Sequence, residues 1–290
     1  MSRSPAAARR QLGTKLRRLR DAAGKKTEDA AEALDCSTAK ISRLENGRGV
    51  PFARDVRDLI DLYEARHEAA ELFALVEEGR AQDWFDEFKD VIQGEMFPSH
   101  LLRYAELERD AAALTYFEPE LIPGPLQTEE YVDAVLQAVF PTAPENERAR
   151  LVEFRMQRQQ KLLHQGLRPD VTFVLGELAI VRSIGDPDIL RRQLEHLVTQ
   201  LEGPLSEVSF HLSPLTNPDP AALGGPFVIL RFDDRTEQDR VYLEGRDGAT
   251  WLESDSDVLR YEEKSESLER ASGTRGDALK RLSDRIDQLR

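Results

Sequence analysis

The apolar positions of the first sixty residues fall on helical stripes. Leu12, Leu16 and Leu19 recur at i, i+4 and i+7 and predict a helix over residues 7–23, closed by Gly24. A short second helix is predicted over Thr27–Leu34, with Ala30, Ala31 and Leu34 on its inner side and a tight break at Asp35-Cys36. Ser37 has the side chain of an N-cap for a third helix, which turns Ile41 and Leu44 inward and stops at Asn46-Gly47. Beyond Pro51, the spacing of Val56, Leu59, Ile60 and Tyr63 predicts a fourth.

Helical spacing then prevails as far as residue 165. It falls in four segments, His67–Gln82, Leu101–Phe117, Thr128–Phe140 and Pro144–Gln165, parted by proline-containing breaks. The pattern changes at Val171–Leu175, which is β-rich, as are Val208–Leu212, Phe227–Phe232 and Arg240–Leu243. Pro187–Leu201 is a helix with Leu190, Leu194, Leu197 and Leu201 on one face, and residues 255–270 and 275–290 return to helix. The fold class is therefore mainly α with an α+β C-terminal part. A helical head over 1–65 is followed by a helical segment over 66–165. An α+β part over 166–290 carries a small, mostly antiparallel sheet with flanking helices. The last two parts together make a regulatory or interaction domain.

Composition adds a charge asymmetry. The 290 residues carry a formal net charge of −14. Residues 1–60 hold 14 Lys and Arg against 8 Asp and Glu, a net of +6; the remainder holds 26 against 46, a net of −20. A basic module on an acidic chain points to a polyanionic partner for that module. The single cysteine, Cys36, excludes an intrachain disulfide, and no run of 18 apolar residues exists. A cytoplasmic protein without membrane association is expected.

Residues 24–47 have helix-turn-helix spacing. Small Ala31 stands where two helices touch, Ile41 follows ten positions later to lock the second helix, and Asp35 occupies the turn between them. The stretch, with its Ile41-Ser42-Arg43-Leu44-Glu45-Asn46-Gly47 ending, resembles the Xre or lambda-repressor type of helix-turn-helix over roughly residues 9–63. That resemblance implies a five-helix head. It departs from the family pattern at Thr27, where Gln is common, and at Asp35, where Gly is usual.

The rest of the chain also resembles a known domain. The run Leu121-Ile122-Pro123-Gly124-Pro125-Leu126-Gln127-Thr128 with Tyr131, the Arg155…Arg158-Gln159 group, Gln193–Leu197, Gly225-Pro226-Phe227 and Val241–Gly245 are similar to a C-terminal domain found behind Xre heads. Pro125 stands where that domain has Leu. It occurs in actinobacterial regulators described as WhiJ-like or antitoxin-like, often beside a small partner protein. The resemblance implies a DNA-binding transcriptional regulator and supplies no mechanism for the second domain.

By motif position, the recognition helix over 37–46 lies in the major groove of double-stranded DNA, with Ser37 at its start and Thr38, Ala39 and Arg43 toward base edges. Arg43 suits O6 and N7 of guanine, and Thr38 or Ala39 a thymine methyl. Thr27, Lys40, Ser42, Asn46 and Arg48 are placed for phosphates. A homodimer on two half-sites is expected. The alternative is an antitoxin-like protein whose C-terminal domain holds a small protein or a small-molecule effector, with DNA binding serving autoregulation.

No nucleophile elbow, phosphate loop, dinucleotide fingerprint or zinc spacing appears, so no enzyme, cofactor or metal is expected. Cys36 is read as a small apolar side chain in the turn rather than a redox switch. Trp84, Phe85 and Phe88 are read as core. The stripe Leu279, Leu282, Ile286 and Leu289 suits either a dimer seam or packing onto the sheet.

Overall fold

The computed structural model describes residues 4–92, 99–163, 170–217, 219–233, 237–245 and 248–290. The chain divides into two compact units, one of Met1–Glu87 with Asp234–Glu237, the other of Phe88–Asp233 with Gln238–Arg290.

The first unit is a bundle of five α-helices. Helix α1 spans Pro5–Ala22; Ser4 caps it by accepting from the Ala7 N–H, and Pro5 suits a first turn whose N–H groups lack partners. Then come α2, Thr27–Ala33, α3, Thr38–Glu45, α4, Ala53–Leu62, and α5, Ala69–Arg80. Gly24, just past α1, takes φ +64°, the left-handed conformation that ends a helix. One core joins Leu12 and Leu16 of α1, Ala30 and Ala31 of α2, Ile41 and Leu44 of α3, Val56, Leu59 and Ile60 of α4, and Leu72, Leu75 and Val76 of α5. The unit therefore runs past the boundary expected at residue 65. Without Leu72, Leu75 and Val76 the apolar face of α1 would stay exposed to water.

The second unit begins with α6, Lys89–Ile92, and α7, Ser99–Asp110. Strand β1, Ala113–Glu118, follows where the sequence pattern had continued a helix to Phe117. Next are α8, Glu129–Val139, α9, Glu145–Leu163, β2, Asp170–Gly176, α10, Glu177–Val181, and α11, Pro187–Glu202. The unit closes with β3, Ser209–Ser213, β4, Phe227–Arg231, β5, Arg240–Gly245, β6, Gly248–Leu252, α12, Asp255–Ala271, and α13, Arg275–Gln288. The final residues assigned to the Pro144–Gln165 helix, 164 and 165, lie outside the described residues.

The six strands form one mixed sheet in the order β3-β2-β1-β4-β5-β6. The β1–β2 and β2–β3 pairs are parallel; β1–β4, β4–β5 and β5–β6 are antiparallel. The observed sheet is thus larger than the four strands read from sequence, and two of its five pairings are parallel. Strand β1 lies in the middle with Leu114, Tyr116 and Phe117 all buried, so it lacks the period-two alternation that identifies a half-buried strand. Strand β6 is a short edge strand, half-buried except for exposed Thr250.

Helices cover both faces of the sheet. On one face Phe117, Val174, Phe227, Ile229 and Val241 pack with Val258 and Leu268 of α12. On the other, Tyr116 and Tyr242 meet α7, whose Tyr104 ring lies 4.4 Å from that of Tyr242. The C-terminal stripe is used inside the unit: Leu282 and Ile286 are buried, and α13 packs on α11 and β3. Phe85 and Phe88 are buried, as core residues are, and Trp84 is half-buried.

Candidate nucleic-acid interface

Helix α3 is amphipathic over its whole length. Ile41 and Leu44 are buried, while Thr38, Ala39, Ser42 and Arg43 are exposed. The exposed set repeats at i, i+1, i+4 and i+5 and forms one stripe opposite the core. Ser37 caps the helix, its Oγ accepting from the Lys40 N–H at 3.3 Å. At the other end Asn46 donates from Nδ2 to the Ser42 carbonyl at 2.7 Å and to Ser42 Oγ at 3.3 Å. The polar atoms of Ser42 and Asn46 thus close the last turn of α3 on itself.

The turn between α2 and α3 has the geometry that a crossing of two short helices demands. Asp35 takes φ +46°, one of two non-glycine residues with positive φ among those described. A short polar side chain tolerates this conformation better than most. Cys36 follows, half-buried against the bundle core with its Sγ directed at the Ser37 carbonyl at 3.6 Å.

The expected residues separate by what holds them. Arg43 and Arg48 are exposed, and neither side chain has an ion-pair or hydrogen-bond partner among the described residues. Thr27, half-buried, is the first residue of α2, and its hydroxyl likewise has no partner there. Lys40 differs, because its ammonium sits 2.6 Å from Oδ2 of Asp55, a buried residue of α4. It joins α3 to α4 instead of standing free at the surface.

Most other cations of the first unit are also engaged. Lys15 lies 3.0 Å from Glu71, Arg18 meets Glu68, and Arg66 lies 3.0 Å from Asp61. The unpaired cations up to residue 48 are Arg17, Lys25, Lys26, Arg43 and Arg48, among the described residues. Two of them adjoin the start of α2, and two lie on α3 or just beyond it.

The seating of α3 depends on a buried ion pair that the sequence reading did not single out. Arg20 is 8 % exposed. Its Nε and Nη2 donate to the two carboxylate oxygens of Glu45 at 2.7 and 3.0 Å, and its Nη1 to Asp21 at 2.8 Å and the Lys25 carbonyl at 3.0 Å. The hydrogen bond to Glu45 raises the guanidinium pKa further above its ordinary range. Nearby Tyr63 is raised too, first by burial and then by the Glu45 charge, and its buried hydroxyl has no hydrogen-bond partner. Helix α1 comes close enough to α3 that a Cβ on Gly13 would stand 2.5 Å from the Glu45 carbonyl oxygen. The signal was present in the spacing: Arg20 extends the Leu12–Leu16 row by four, and Glu45 lies four past Ile41.

Comparison with known families places both units. Residues 11–73 match a family described as a helix-turn-helix domain. Residues 101–284 match a second, described as a domain of unknown function (DUF5753). No curated protein and no solved structure matches the chain. Among the described residues, no helix is long and apolar enough to cross a membrane.

Proposed function

The chain belongs to the DUF5753 family and carries a helix-turn-helix domain ahead of that region; from this premise we propose that it is a cytoplasmic, sequence-specific DNA-binding regulator of transcription with an Xre-type head. The observation that carries the reading is the exposed stripe of α3, where the side chains of Thr38, Ala39 and Arg43 have no partner among the described residues, on a helix whose other side is locked into the core. A helix held this way offers base-reading side chains in fixed positions at little entropic cost.

In this reading Arg43 meets guanine in the major groove and Thr38 and Ala39 contact neighbouring base edges. Arg48, Lys25, Lys26 and Thr27 face phosphates, as does the open first turn of α3 beside Ser37. Lys40 supports the interface from behind through Asp55. Ser42 and Asn46 fix the end of α3 and lie at its rim. One head offers few contacts, so a homodimer on two half-sites about one helical turn apart supplies the affinity.

The test is duplex selection from a random pool with the full chain, followed by anisotropy titration of the enriched sequence. Specific binding that Arg43→Ala weakens about 5- to 150-fold at one base pair, a loss of about 1–3 kcal/mol, supports the reading. Failure to enrich any sequence, or enrichment indifferent to Arg43, overturns it.

A further inference from the structure

Among the described residues, the second unit holds a half-buried cation that makes no ion pair and no hydrogen bond. Helix α9 turns Leu151, Leu162 and Leu163 inward, and the same stripe carries Arg155, Arg158 and Gln159. Two of these three have structural partners. Arg158 Nε lies 2.9 Å from the carboxylate of Glu108, a buried residue of α7 whose other oxygen accepts the hydroxyls of Tyr104 at 2.7 Å and Tyr116 at 2.8 Å. Gly124 leaves room for that guanidinium, since a Cβ there would stand 2.9 Å from it. Gln159 donates to the Pro125 carbonyl at 2.6 Å and the Gln127 carbonyl at 2.9 Å.

Arg155, one turn earlier, has neither an ion pair nor a hydrogen bond among the described residues. Burial and the like charge of Arg158 hold its pKa down to about 10, with Glu244 opposing them. Arg155 is half-buried, and a partly desolvated guanidinium with no bonded counter-ion, only the Glu244 charge acting on it, is costly to keep.

The sheet register brings carboxylates to the same place. Tyr116, Val228 and Tyr242 form one row across β1, β4 and β5. Two residues further along, on the same face, the next row holds Glu118 and Glu244 on either side of the approach to β4. Strands β1, β2, β3 and β5 run in one direction, so this row lies at their carboxyl ends, where open sheets of parallel strands take ligands. Glu118 is half-buried with no hydrogen-bond partner among the described residues, and burial with the Glu244 and Glu120 charges pushes it up to about 8. The Tyr242 hydroxyl, on a side chain 2 % exposed, is buried without a partner.

We propose that Arg155, Glu118, Glu244 and Tyr242 form a binding site for a small zwitterion of the α-amino-acid type, its carboxylate on Arg155, its ammonium between Glu118 and Glu244, and the Tyr242 hydroxyl completing the polar contacts. The distribution of charge selects this class. A simple anion would satisfy Arg155 but lie against the Glu244 carboxylate and the Glu118 carboxyl, with nothing to draw the Glu118 proton off. A simple cation would do the reverse. A zwitterion relieves both without changing the net charge of the site. The site belongs wholly to the second unit and does not depend on the DNA-binding reading.

The experiment is a thermal-shift and calorimetric titration of the full chain, without DNA, using the standard L-amino acids one at a time. For any that stabilises, the matching deaminated acid and decarboxylated amine serve as half-ligands. The expected result is concentration-dependent stabilisation by at least one amino acid. Each half-ligand should bind about tenfold or more weakly, and Glu118→Gln and Arg155→Lys should each lose about tenfold or more, the loss of a charge-assisted contact. Tyr242→Phe, which preserves the packing, should weaken binding by a smaller factor. Retention of the unliganded melting transition shows that each variant is folded. No stabilisation by any amino acid overturns the proposal, as does an acid or amine that binds as well as its parent, or binding indifferent to both Glu118→Gln and Arg155→Lys. Because no DNA is present, a negative result here leaves the reading of α3 standing, and the loss of that reading leaves this site untouched.

Discussion

Cutting the Arg20–Glu45 bridge should disturb α3, the helix proposed to read DNA, from behind. Both residues are nearly inaccessible, with side-chain exposures of 10 % and 8 %, and the guanidinium makes two bonds to the carboxylate. In Glu45→Ala, Arg20 keeps Asp21, whose side chain is 61 % exposed, and one bond to the Lys25 carbonyl. Removing one member of a buried pair costs about 3–5 kcal/mol, and the surviving bonds put this case near the lower end, at about 3 kcal/mol. In Arg20→Met the stranded group is Glu45, beside a Tyr63 hydroxyl that makes no hydrogen bond, so the cost should reach about 4–5 kcal/mol. The double variant Arg20→Met with Glu45→Leu leaves no buried charge and should cost less than either single change, because apolar replacements of buried pairs are often neutral. Hydrogen exchange of the α1 and α3 amides in the full chain reads the first unit separately from the second. Equal or additive losses in the double variant would refute the account, as would a Glu45→Ala cost below about 1 kcal/mol, the range of exposed pairs.

Four further outcomes follow from the geometry. Gly13→Ala forces a methyl against the Glu45 and Leu44 carbonyls and should destabilise the first unit by about 1–3 kcal/mol, read by the same exchange experiment. Lys40→Ala leaves buried Asp55 with only Arg54 at 3.2 Å, so it should lower stability by about 1–2 kcal/mol and weaken all duplexes alike, whereas Arg43→Ala should leave stability unchanged and act on one base pair. If two heads cover about eight phosphates, affinity should fall about 10³–10⁵-fold between about 50 and 200 mM salt, and a flat titration would contradict that contact set. Glu118 has a folded pKa raised above its ordinary value, so its contribution is favourable below about pH 4.5 and is lost as pH rises toward about 8. Glu118→Gln removes that loss, and its melting temperature relative to the parent chain should climb across this interval and level off above it.

The helices of the first unit could be read almost residue by residue. Observed α1, α2 and α3 end within two residues of expectation, because the apolar stripes, Gly24 and the Ser37 cap are local signals. Strand β1 could not be read that way. Its period is masked by burial on both faces, and the leucine spacing of α7 runs directly into it. The exposed stripe of α3 was also legible, since Ile41 and Leu44 fix which side faces the core.

What distinguishes one charged residue from another was not local. Lys40, Arg43 and Arg48 look alike along the chain, yet the first is bound to Asp55 while the other two have no partner among the described residues. In the second unit, strand order alone sets Glu118 and Glu244 two strands apart on one face, with Glu244 also acting on the charge of Arg155 from α9. Periodicity reports which side of an element is apolar, and that much belongs to the sequence by itself. Which charges meet, and which are left without a counterpart, depends on distances across the fold, where electrostatic energy varies with separation and burial and not with position along the chain.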